Sequence, residues 1–459
     1  MSPMSSTIET LKQDNAEYIW HPMAHPAAMR KNKPDIIVRG EGCWIWDVDG
    51  HRMIDGVGGL WCSNLGHSNQ RVRDAIVAQL DELPFYNTFR GTTHARAIEL
   101  STRLVAMMAP ENVGAVSFGN GGSDAVETAL KIARQYWKLK GQGGRTRFIS
   151  LKQGYHGVHY GGLSIAGSTG FRAPFEPGLA GCSQVESPWT YRNPWGEDDP
   201  QRLGELCAQA LEREIIYQGA DTVAAFIAEP IQGSGGVIVP PDNYWPLVRE
   251  ICNRHGVLLI ADEVVTGFGR GGTLFGTRLW GVNADIWCLA KGISSGYVPL
   301  GATAIGRKVS DVFDADTTGA ASLAHGFTYS AHPLAAAAAL ATFDEIEALD
   351  LPAHAATVGA HLQQRLRSFA ERYDFVGDVR GRGLMAGIEM VADKARRTPM
   401  PRSSDVPARV AKAAYRRGAM VRISGANMIL SPSLVISREE IDQLVDILEA
   451  SFAEVQASS

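Results

Sequence analysis

The chain has 459 residues, of which 45% are hydrophobic and 20% are charged, a composition typical of an ordinary soluble enzyme. Its 44 Lys and Arg and 49 Asp and Glu give a formal net charge of −5. No basic block occurs, which excludes a typical nucleic-acid-binding protein. The length predicts two to three domains, or one large domain with a smaller partner.

The sequence contains no clear signal peptide, membrane span or cysteine motif. Six cysteines are scattered without metal-ligand spacing, so we expect free thiols in a reducing compartment and no metal site. The first ten residues lack the basic and apolar regions of a signal peptide. No apolar run approaches the roughly 20 residues of a membrane span. We therefore expect a cytoplasmic protein without membrane or nucleic-acid partners.

The first part of the chain is predicted to be irregular and then to form a hairpin. Residues 1 to about 30 include the proline-containing run 20–26, which disfavours regular structure. Short β-like runs follow at 36–39, 43–48 and 52–55. The dipeptide Asp49-Gly50 between the last two runs is a strong hairpin signal. We assign residues 1–69 to an N-terminal segment that forms part of a small domain.

From about residue 70, helical segments alternate with compact apolar strands. The strands are predicted at 115–118, 147–150, 223–228, 257–261 and 286–290. Strands that are buried on both faces give continuous apolar runs, so we predict an α/β domain at 70–340 with a mostly parallel sheet covered by helices. Alternating helices and short strands then predict a smaller α+β domain at 341–459.

Two of the apolar runs are each followed by an ionisable residue. Asp262 follows the run 257–261, and Lys291 follows the run 286–290. A buried carboxylate can keep a pyridine nitrogen protonated and a buried amine can form a Schiff base, so the pair suits a pyridine cofactor. The alternatives are a lysine that reaches solvent, an aspartate that caps a helix, and Lys152 as the reactive amine.

The segment 118–124, FGNGGSD, connects a predicted strand to a helix predicted to begin near Ala125. Glycines allow a ligand to approach the backbone closely, and the free N–H groups of a helix N-terminus attract an anion. Ser123 can add a hydroxyl donor. The pattern is neither a P-loop nor a dinucleotide fingerprint. The alternative is a tight turn in which Ser123 or Asp124 caps the helix.

Two more loops follow apolar strands. Tyr155 lies among glycines and can stack on a flat ligand, although it can equally pack on the core from a surface loop. Glu229 ends the strand 223–228 and precedes a glycine-rich loop. Because ligands of open α/β sheets bind beyond the carboxyl ends of the strands, we expect these loops and Asp262 to converge on one crevice.

Together these motifs resemble the class III, or omega, aminotransferases, which are pyridoxal-5′-phosphate (PLP) enzymes of fold type I. The resemblance extends from about Trp20 to Ile447. In chain order, the matching motifs are GGSDA at 121–125, GYHG at 154–157, EPIQG at 229–233, DEV at 262–264, AKG at 290–292 and GFTYS at 326–330. The resemblance implies a large PLP-binding domain and a smaller domain built from both chain ends.

The resemblance also implies roles for the matching residues. Lys291 is expected to form the Schiff base and move the proton, and Asp262 to pair with the pyridinium nitrogen. The other expected cofactor-binding residues are Gly122 and Ser123 at the phosphate, Tyr155 and Val264 on the ring faces, His156, Glu229 on the hydroxyl side, and Thr328 from a neighbouring subunit. A homodimer with shared active sites is implied, with a tetramer left open.

Landmarks at 60–62, 83–89 and 240–246 resemble the amine– and β-alanine–pyruvate transaminases within this class. The expected substrate-binding residues are Trp61, Phe89, Tyr155, Met23 and Arg422. Arg422 is expected to bind the keto-acid carboxylate and to swing away for apolar amines. Two departures concern this pocket: Met23 replaces a usual aromatic residue, and Gly425 precedes Ala426 rather than an aspartate.

We therefore predict a PLP-dependent aminotransferase that moves an amino group from an ω-amino acid or amine to pyruvate. The products would be an aldehyde, ketone or semialdehyde and L-alanine. Alternatives of the same fold are a dialkylglycine decarboxylase, an aminomutase and a non-catalytic PLP-fold regulator, although a regulator is expected to lack Lys291 or Asp262. A nicotinamide dehydrogenase is disfavoured because the dinucleotide fingerprint is absent.

Overall fold

The computed structural model describes residues 7–458. Residues 1–6, which belong to the predicted segment 1–69 and to the region inspected for a signal peptide, lie outside the described residues. The α-helices are Ile8–Tyr18, Pro26–Lys31, Gly58–Trp61, Gln70–Glu82, Ala95–Met107, Gly122–Leu139, Tyr160–Ile165, Thr169–Arg172, Pro200–Gln218, Tyr244–His255, Arg307–Asp314, Pro333–Ala348, Leu351–Leu366, Phe369–Arg372, Val406–Arg416 and Arg438–Ala457. Within residues 7–458, no helix combines the length and apolar character that crossing a bilayer requires.

A seven-stranded sheet, called the large sheet below, forms the centre of the molecule. Its spatial order is Val113–Gly119, Gly301–Gly306, Ile286–Leu289, Leu258–Asp262, Val223–Ala228, Arg147–Leu151 and Cys182–Val185. Neighbouring strands are parallel except at Gly301–Gly306, which is antiparallel to both strands beside it. The predicted mostly parallel sheet is confirmed.

Burial explains why the strands of the large sheet are continuous apolar runs. Successive residues of a strand point to opposite faces. Leu258 and Ile260 accordingly pack in an apolar cluster with residues of the helix Gly122–Leu139, whereas Leu259 and Ala261 pack in the main core cluster. Both faces are thus covered, which favours apolar residues at both sets of alternate positions.

Two smaller sheets involve the ends of the chain. The N-terminal sheet consists of Ile37–Glu41, Trp44–Asp47, Arg52–Asp55 and Ala419–Met420. The C-terminal sheet consists of Val376–Arg382, Met385–Asp393, Asn427–Leu430 and Arg422–Ser424, and Thr398–Pro399 pairs with its second strand. A strand from near residue 420 therefore completes a sheet begun by the first 55 residues. The domain limits at residues 69 and 340 stay predictions.

The prediction that residues up to about 30 are irregular was wrong within the described residues. Ile8–Tyr18 and Pro26–Lys31 are helices. Thr7 caps the first helix by accepting a hydrogen bond from the Thr10 amide at 3.2 Å. Pro26 occupies the first turn of the second helix, where its missing N–H would have had no intrahelical partner. The prolines lie before or at the start of a helix, where they are tolerated.

Candidate active site

A cavity of about 330 Å³ lies beyond the carboxyl ends of the central strands of the large sheet. The predicted residues that line it are Gly122, Ser123, Tyr155, His156, Glu229, Asp262, Val264 and Lys291. These residues come from separate segments of the chain. They meet because parallel strands place the loops that follow them along one edge of a sheet.

Lys291 begins the 3₁₀ helix Lys291–Ser294, just after the strand Ile286–Leu289. Its φ of +48° lies in the left-handed region, which is costly for a residue with a Cβ, so surrounding contacts must hold the backbone there. Burial lowers the pKa of its ammonium group, and the charge of Arg422 adds to this lowering against the opposing charge of Asp262. The lower pKa favours the neutral amine, the form that acts as nucleophile and base.

Asp262 and His156 form a buried pair in the cavity wall. Asp262 Oδ2 lies 2.7 Å from His156 Nδ1, and Asp262 Oδ1 accepts a hydrogen bond from the Val264 amide at 3.1 Å. Burial lowers the pKa of His156, but the hydrogen bond and charge of Asp262 outweigh burial, so the net pKa is raised. The imidazolium form of His156 is therefore favoured beside Asp262. Sequence analysis selected both residues but not the contact between them.

Glu229 connects two of the loops that surround the cavity. Its Oε1 accepts a hydrogen bond from the Tyr155 amide and its Oε2 accepts one from the Gly233 amide, both at 2.9 Å. Burial raises the pKa of this carboxyl group to about 7, and the nearby charge of Asp262 acts in the same direction. Glu229 therefore positions the Tyr155 loop and can gain or lose a proton near neutral pH.

The N-terminus of the helix Gly122–Leu139 provides an anion-binding site. The helix begins at Gly122 rather than near Ala125, so the first amide groups, which have no intrahelical partner, lie at the cavity. A Cβ at Gly122 would lie 2.9 Å from the Val264 side chain, which explains the glycine. Ser123 Oγ accepts a hydrogen bond from the Val158 amide at 3.2 Å and can still donate its own proton.

Asp124 shapes the turn before this helix. Its Oδ2 accepts a hydrogen bond from the Asn120 amide at 2.7 Å, and its Oδ1 lies 2.8 Å from His159 Nε2. The alternative that Ser123 or Asp124 caps the helix is wrong, because the N-cap residue is Gly121 and no side chain makes a capping hydrogen bond. Asp124 instead bonds to the turn, while Gly122 and Ser123 line the cavity.

Tyr155 and Val264 come from different loops and line the same cavity. The Tyr155 ring packs edge to face on Phe171, with ring centroids 5.3 Å apart and an interplanar angle of 67°. Burial raises the pKa of its hydroxyl group. An aromatic face and a branched aliphatic side chain suit a flat ring between them, and this sandwich stays a prediction.

Five predicted residues do not line this cavity: Thr328, Phe89, Met23, Trp61 and Arg422. Thr328 is exposed, and Phe89 and Met23 are 46% and 68% exposed. Phe89 instead lines a second cavity, of about 830 Å³, together with Gly326 of the GFTYS motif. Phe89 and the GFTYS motif thus share a surface that is separate from the cofactor cavity of their own chain.

Trp61 is only 2% exposed and has a φ of +66°. It packs in an apolar cluster that includes Ile231 and Val265, and its neighbour Cys62, rather than Trp61 itself, lines the cavity. The turn that carries Trp61 is held by Asp55, whose carboxylate accepts hydrogen bonds from two of its amides at 3.1 and 2.8 Å. Its role as a pocket wall stays a prediction.

Several residues that line the cavity were not predicted individually as site residues, although Asn120, Gly121, Gly157 and Ala290 lie within the recognised segments. The full set is Cys62, Asn120, Gly121, Val126, Gly157, Val265, Ala290, Ser294, Gly296, Val298, Pro299 and Leu300. Leu300 directly precedes Gly301–Gly306, the antiparallel strand, which therefore brings its beginning rather than its end to the cavity. A continuous apolar run gives no signal of this reversed direction. Cys62 had a weak signal, since it follows Trp61 in a recognised landmark.

Comparison with known proteins identifies the class. The family model for class III aminotransferases matches residues 27–452. A curated adenosylmethionine-8-amino-7-oxononanoate aminotransferase of Geobacter sulfurreducens is 39% identical over 96% of this chain and 97% of its own, and a putrescine–pyruvate aminotransferase of Pseudomonas aeruginosa is 38% identical over 90% and 89%. The chain belongs to the class III aminotransferases.

Solved structures agree with this membership. An amine transaminase from an uncultivated Pseudomonas species, in a PLP-bound form, is 52% identical, with a TM-score of 0.94 over 95% of this chain and 98% of its own. An (S)-enantioselective omega-transaminase from Thermomicrobium roseum is 39% identical, also with a TM-score of 0.94, over 98% and 99%. The protein is a PLP-dependent omega-aminotransferase of fold type I, with an amine donor and a keto-acid acceptor.

The residues of the cavity fit PLP. An amine of lowered pKa, an aspartate hydrogen-bonded to a histidine, and a helix N-terminus match the aldehyde, ring nitrogen and phosphate of this cofactor. His156 Nε2 is buried without a hydrogen-bond partner among residues 7–458, so only its Nδ1, on Asp262, is engaged there. Lys291, Asp262, Gly122 and Ser123 are therefore the residues that would hold PLP.

Proposed function

We propose that this aminotransferase moves an amino group from an ω-amino acid or amine to pyruvate, giving an aldehyde, ketone or semialdehyde and L-alanine. The observation that carries the proposal is that the Arg422 guanidinium has no hydrogen-bond or salt-bridge partner within residues 7–458. It is nevertheless close enough to Lys291 to lower the pKa of its ammonium group. A cation of this kind beside the reactive amine suits a substrate carboxylate.

Two similarities support the choice of substrates. The 52% identical structure is named an amine transaminase, and the 38% identical relative is named for putrescine and pyruvate. Val265, a member of the apolar cluster around Trp61, lines the cavity and offers an apolar contact for uncharged amines. If the Arg422 side chain moves, the pocket would bind the carboxylate of a short keto acid in one half-reaction and an apolar amine in the other.

The residues of this chain would divide the work as follows. When bound, PLP supplies an electrophilic carbonyl carbon and an electron-accepting ring. Burial lowers the pKa of Lys291, which favours the neutral amine that would take a proton from the donor carbon and return it later. Asp262, hydrogen-bonded to His156, would place its carboxyl group beside the ring nitrogen. Arg422 orients the acceptor through its carboxylate.

A comparison of half-reactions tests the proposal. Loss of the cofactor absorption is followed with β-alanine, taurine, putrescine, 6-aminohexanoate and 1-phenylethylamine, and alanine and CO2 are measured with pyruvate as acceptor. We expect alanine without CO2. Arg422→Gln should raise KM for pyruvate roughly tenfold or more, since it removes a charged hydrogen bond, and leave 1-phenylethylamine unaffected. CO2 release would favour a decarboxylase, and an unchanged KM would contradict the role of Arg422.

We also propose a homodimer with shared active sites. Thr328 and Phe89 are exposed and lie away from the cavity of their own chain, so they are placed to contact the cavity of a second copy. Association into a tetramer stays open. The cytoplasmic location stays a prediction from the sequence, and sedimentation of the purified holoenzyme measures the oligomeric state.

A further inference from the structure

Arg422 belongs to a short hairpin, called the Arg422 hairpin below. It consists of the strands Arg422–Ser424 and Asn427–Leu430, joined by Gly425 and Ala426. Gly425 has a φ of +60°, a conformation that glycine adopts without steric cost. No acidic side chain is present in this turn to anchor it, so other groups must fix the position of the hairpin.

A chain of hydrogen bonds fixes the turn. Ser424 Oγ donates to the backbone carbonyl of Ser234 at 3.0 Å. Across the turn, Asn427 Nδ2 donates to the Ser424 carbonyl at 3.4 Å, and Asn427 Oδ1 accepts from Arg380 Nη2 at 2.7 Å. Arg380 Nε donates to the Gly236 carbonyl at 2.8 Å. The hairpin is thus tied at two points to the glycine-rich loop 233–236.

The Arg380 guanidinium is electrically balanced where it is buried. Its Nη1 donates to Asp378 at 2.7 Å and to Glu389 at 2.9 Å, and Glu389 also accepts from Arg192 at 2.6 Å. The side chains of Arg380 and Glu389 are 9% and 5% exposed. Buried ion pairs of this kind mainly fix geometry, because the cost of desolvation offsets much of their attraction.

The same loop contacts the cofactor cavity on its other side. The Gly233 amide donates to Glu229 Oε2, and a Cβ on Gly235 would lie 2.8 Å from the Gln153 carbonyl, so this loop packs against the segment that carries Tyr155. Ser424 and Arg422 are two residues apart on one strand and therefore lie on the same face. A shift of the Ser424 anchor would move Arg422 relative to the cavity.

We propose that Ser424 and Asn427 are positioning residues that set the distance between Arg422 and the reacting amine, and so set the preference for carboxylate-bearing substrates. The proposal rests on the proposed function, since it requires Arg422 to bind a substrate carboxylate. Neither side chain lines the cavity, so neither is expected to contact PLP or the reacting carbon.

The test uses the holoenzyme and the variants Ser424→Ala and Asn427→Ala. Ser424→Ala removes one neutral hydrogen bond, so KM for pyruvate and for β-alanine should rise about fivefold. Asn427→Ala removes the hydrogen bond to the Ser424 carbonyl and the charged one from Arg380, so the rise in KM should be larger. The value of kcat should change less than twofold, and the half-reaction with 1-phenylethylamine should be unchanged. Ser424→Thr keeps the hydroxyl group and should restore KM.

Ser451→Ala is the matched control, because Ser451 also donates a hydroxyl hydrogen bond to a backbone carbonyl, that of Ile447 at 2.7 Å, in a distant helix. It should leave both kinds of substrate unchanged. An equal effect of Ser424→Ala on charged and uncharged substrates, or no effect on either, would overturn the positioning role. If Arg422→Gln itself leaves KM for pyruvate unchanged, the proposed function fails instead, so the two failures are distinguishable.

Discussion

The inner and outer parts of the candidate site differ in how they are built. The inner part consists of Lys291, Asp262, His156 and Glu229, whose contacts are made within one chain and are mostly buried. The outer part consists of Phe89, Thr328 and Met23, which are exposed, and of Arg422, which is half-buried. On the proposed assignments, a single chain contains most of the cofactor site but only one side of a substrate site.

The inner part is proposed to carry out the reaction, and the outer part is proposed to determine which substrates are accepted. The groups proposed to bind and activate the cofactor are held by the large sheet, where a change of position would disturb packed strands on both faces. The groups proposed to select the substrate lie on a hairpin and on exposed loops, which can change with little effect on the core. Substitutions in the inner part should therefore affect all substrates, and those in the outer part only some.

The largest effect is expected for Lys291→Ala. Loss of the amine removes both the nucleophile and the proton carrier, so transamination of every substrate should fall by about a thousandfold or more. Borohydride treatment followed by peptide mapping should no longer attach the cofactor to the chain. Single-turnover kinetics with 1-phenylethylamine and β-alanine measure the rate.

Lys152→Ala is the control for that experiment. Lys152 is partly exposed and pairs with Glu186, away from the cavity lining, and exposed ion pairs contribute little to stability. Activity and borohydride labelling should be retained. If Lys152→Ala abolishes labelling and Lys291→Ala does not, the assignment of the reactive amine is wrong.

A smaller but still general effect is expected for Asp262→Asn. The substitution keeps the shape and removes the charge that raises the pKa of His156. We expect the pKa of His156, followed by NMR, to fall, and kcat to fall about a hundredfold for charged and uncharged amines alike. Asp47→Asn, which changes a buried carboxylate that accepts a hydrogen bond from Tyr415, should leave kcat unchanged. A fall in kcat for only charged or only uncharged amines would contradict the prediction that substitutions in the inner part affect all substrates.

The inner part was largely predictable from sequence because each group follows an apolar strand. Asp262, Glu229 and Lys291 come directly at or after strand ends, and parallel strands determine that such residues meet. The contact of His156 with Asp262 was not predictable, since the two residues are 106 positions apart and nothing local indicates the pairing.

The outer part could not be predicted in the same way. Arg380 and Ser234 act on the Arg422 hairpin from positions far away in sequence, and neither belongs to a recognised motif. The helix Ile8–Tyr18 was missed because the prolines that follow it led to a prediction of irregular structure. Thr7 is nevertheless a normal helix cap. Local patterns indicate elements, whereas tertiary hydrogen bonds depend on the assembled fold.

The buried carboxyl group of Glu229 predicts a pH dependence of stability. Its pKa is 4.5 when exposed and about 7 in the folded protein, so between these values the folded state binds more protons than the unfolded state. The contribution of this group to the free energy of unfolding should then fall by about 3 kcal/mol as pH rises from about 4.5 to about 7. Chemical denaturation at several pH values measures this slope.

Glu229→Gln removes the ionisable group and provides the comparison. The difference in unfolding free energy between the wild type and this variant should change across the same pH range. Glu212→Gln is a control with the opposite sign, because the His255 hydrogen bond lowers the pKa of this surface carboxyl group. A difference for Glu229→Gln that does not vary with pH would show that Glu229 ionises normally in the folded protein.

The smallest effect, and the sharpest test of the outer part, is expected for Thr328→Ala. Loss of one hydroxyl donor to a phosphate should weaken PLP binding roughly tenfold, without a change in kcat at saturating cofactor. A mixed dimer of one Lys291→Ala chain and one Thr328→Ala chain then decides which subunit supplies the threonine. If Thr328 acts on the neighbouring cavity, one site of the mixed dimer contains an intact lysine and an intact threonine, and titration should show normal PLP affinity. If Thr328 acts on its own cavity, the only site with an intact lysine carries the weakened phosphate contact, and normal affinity is lost.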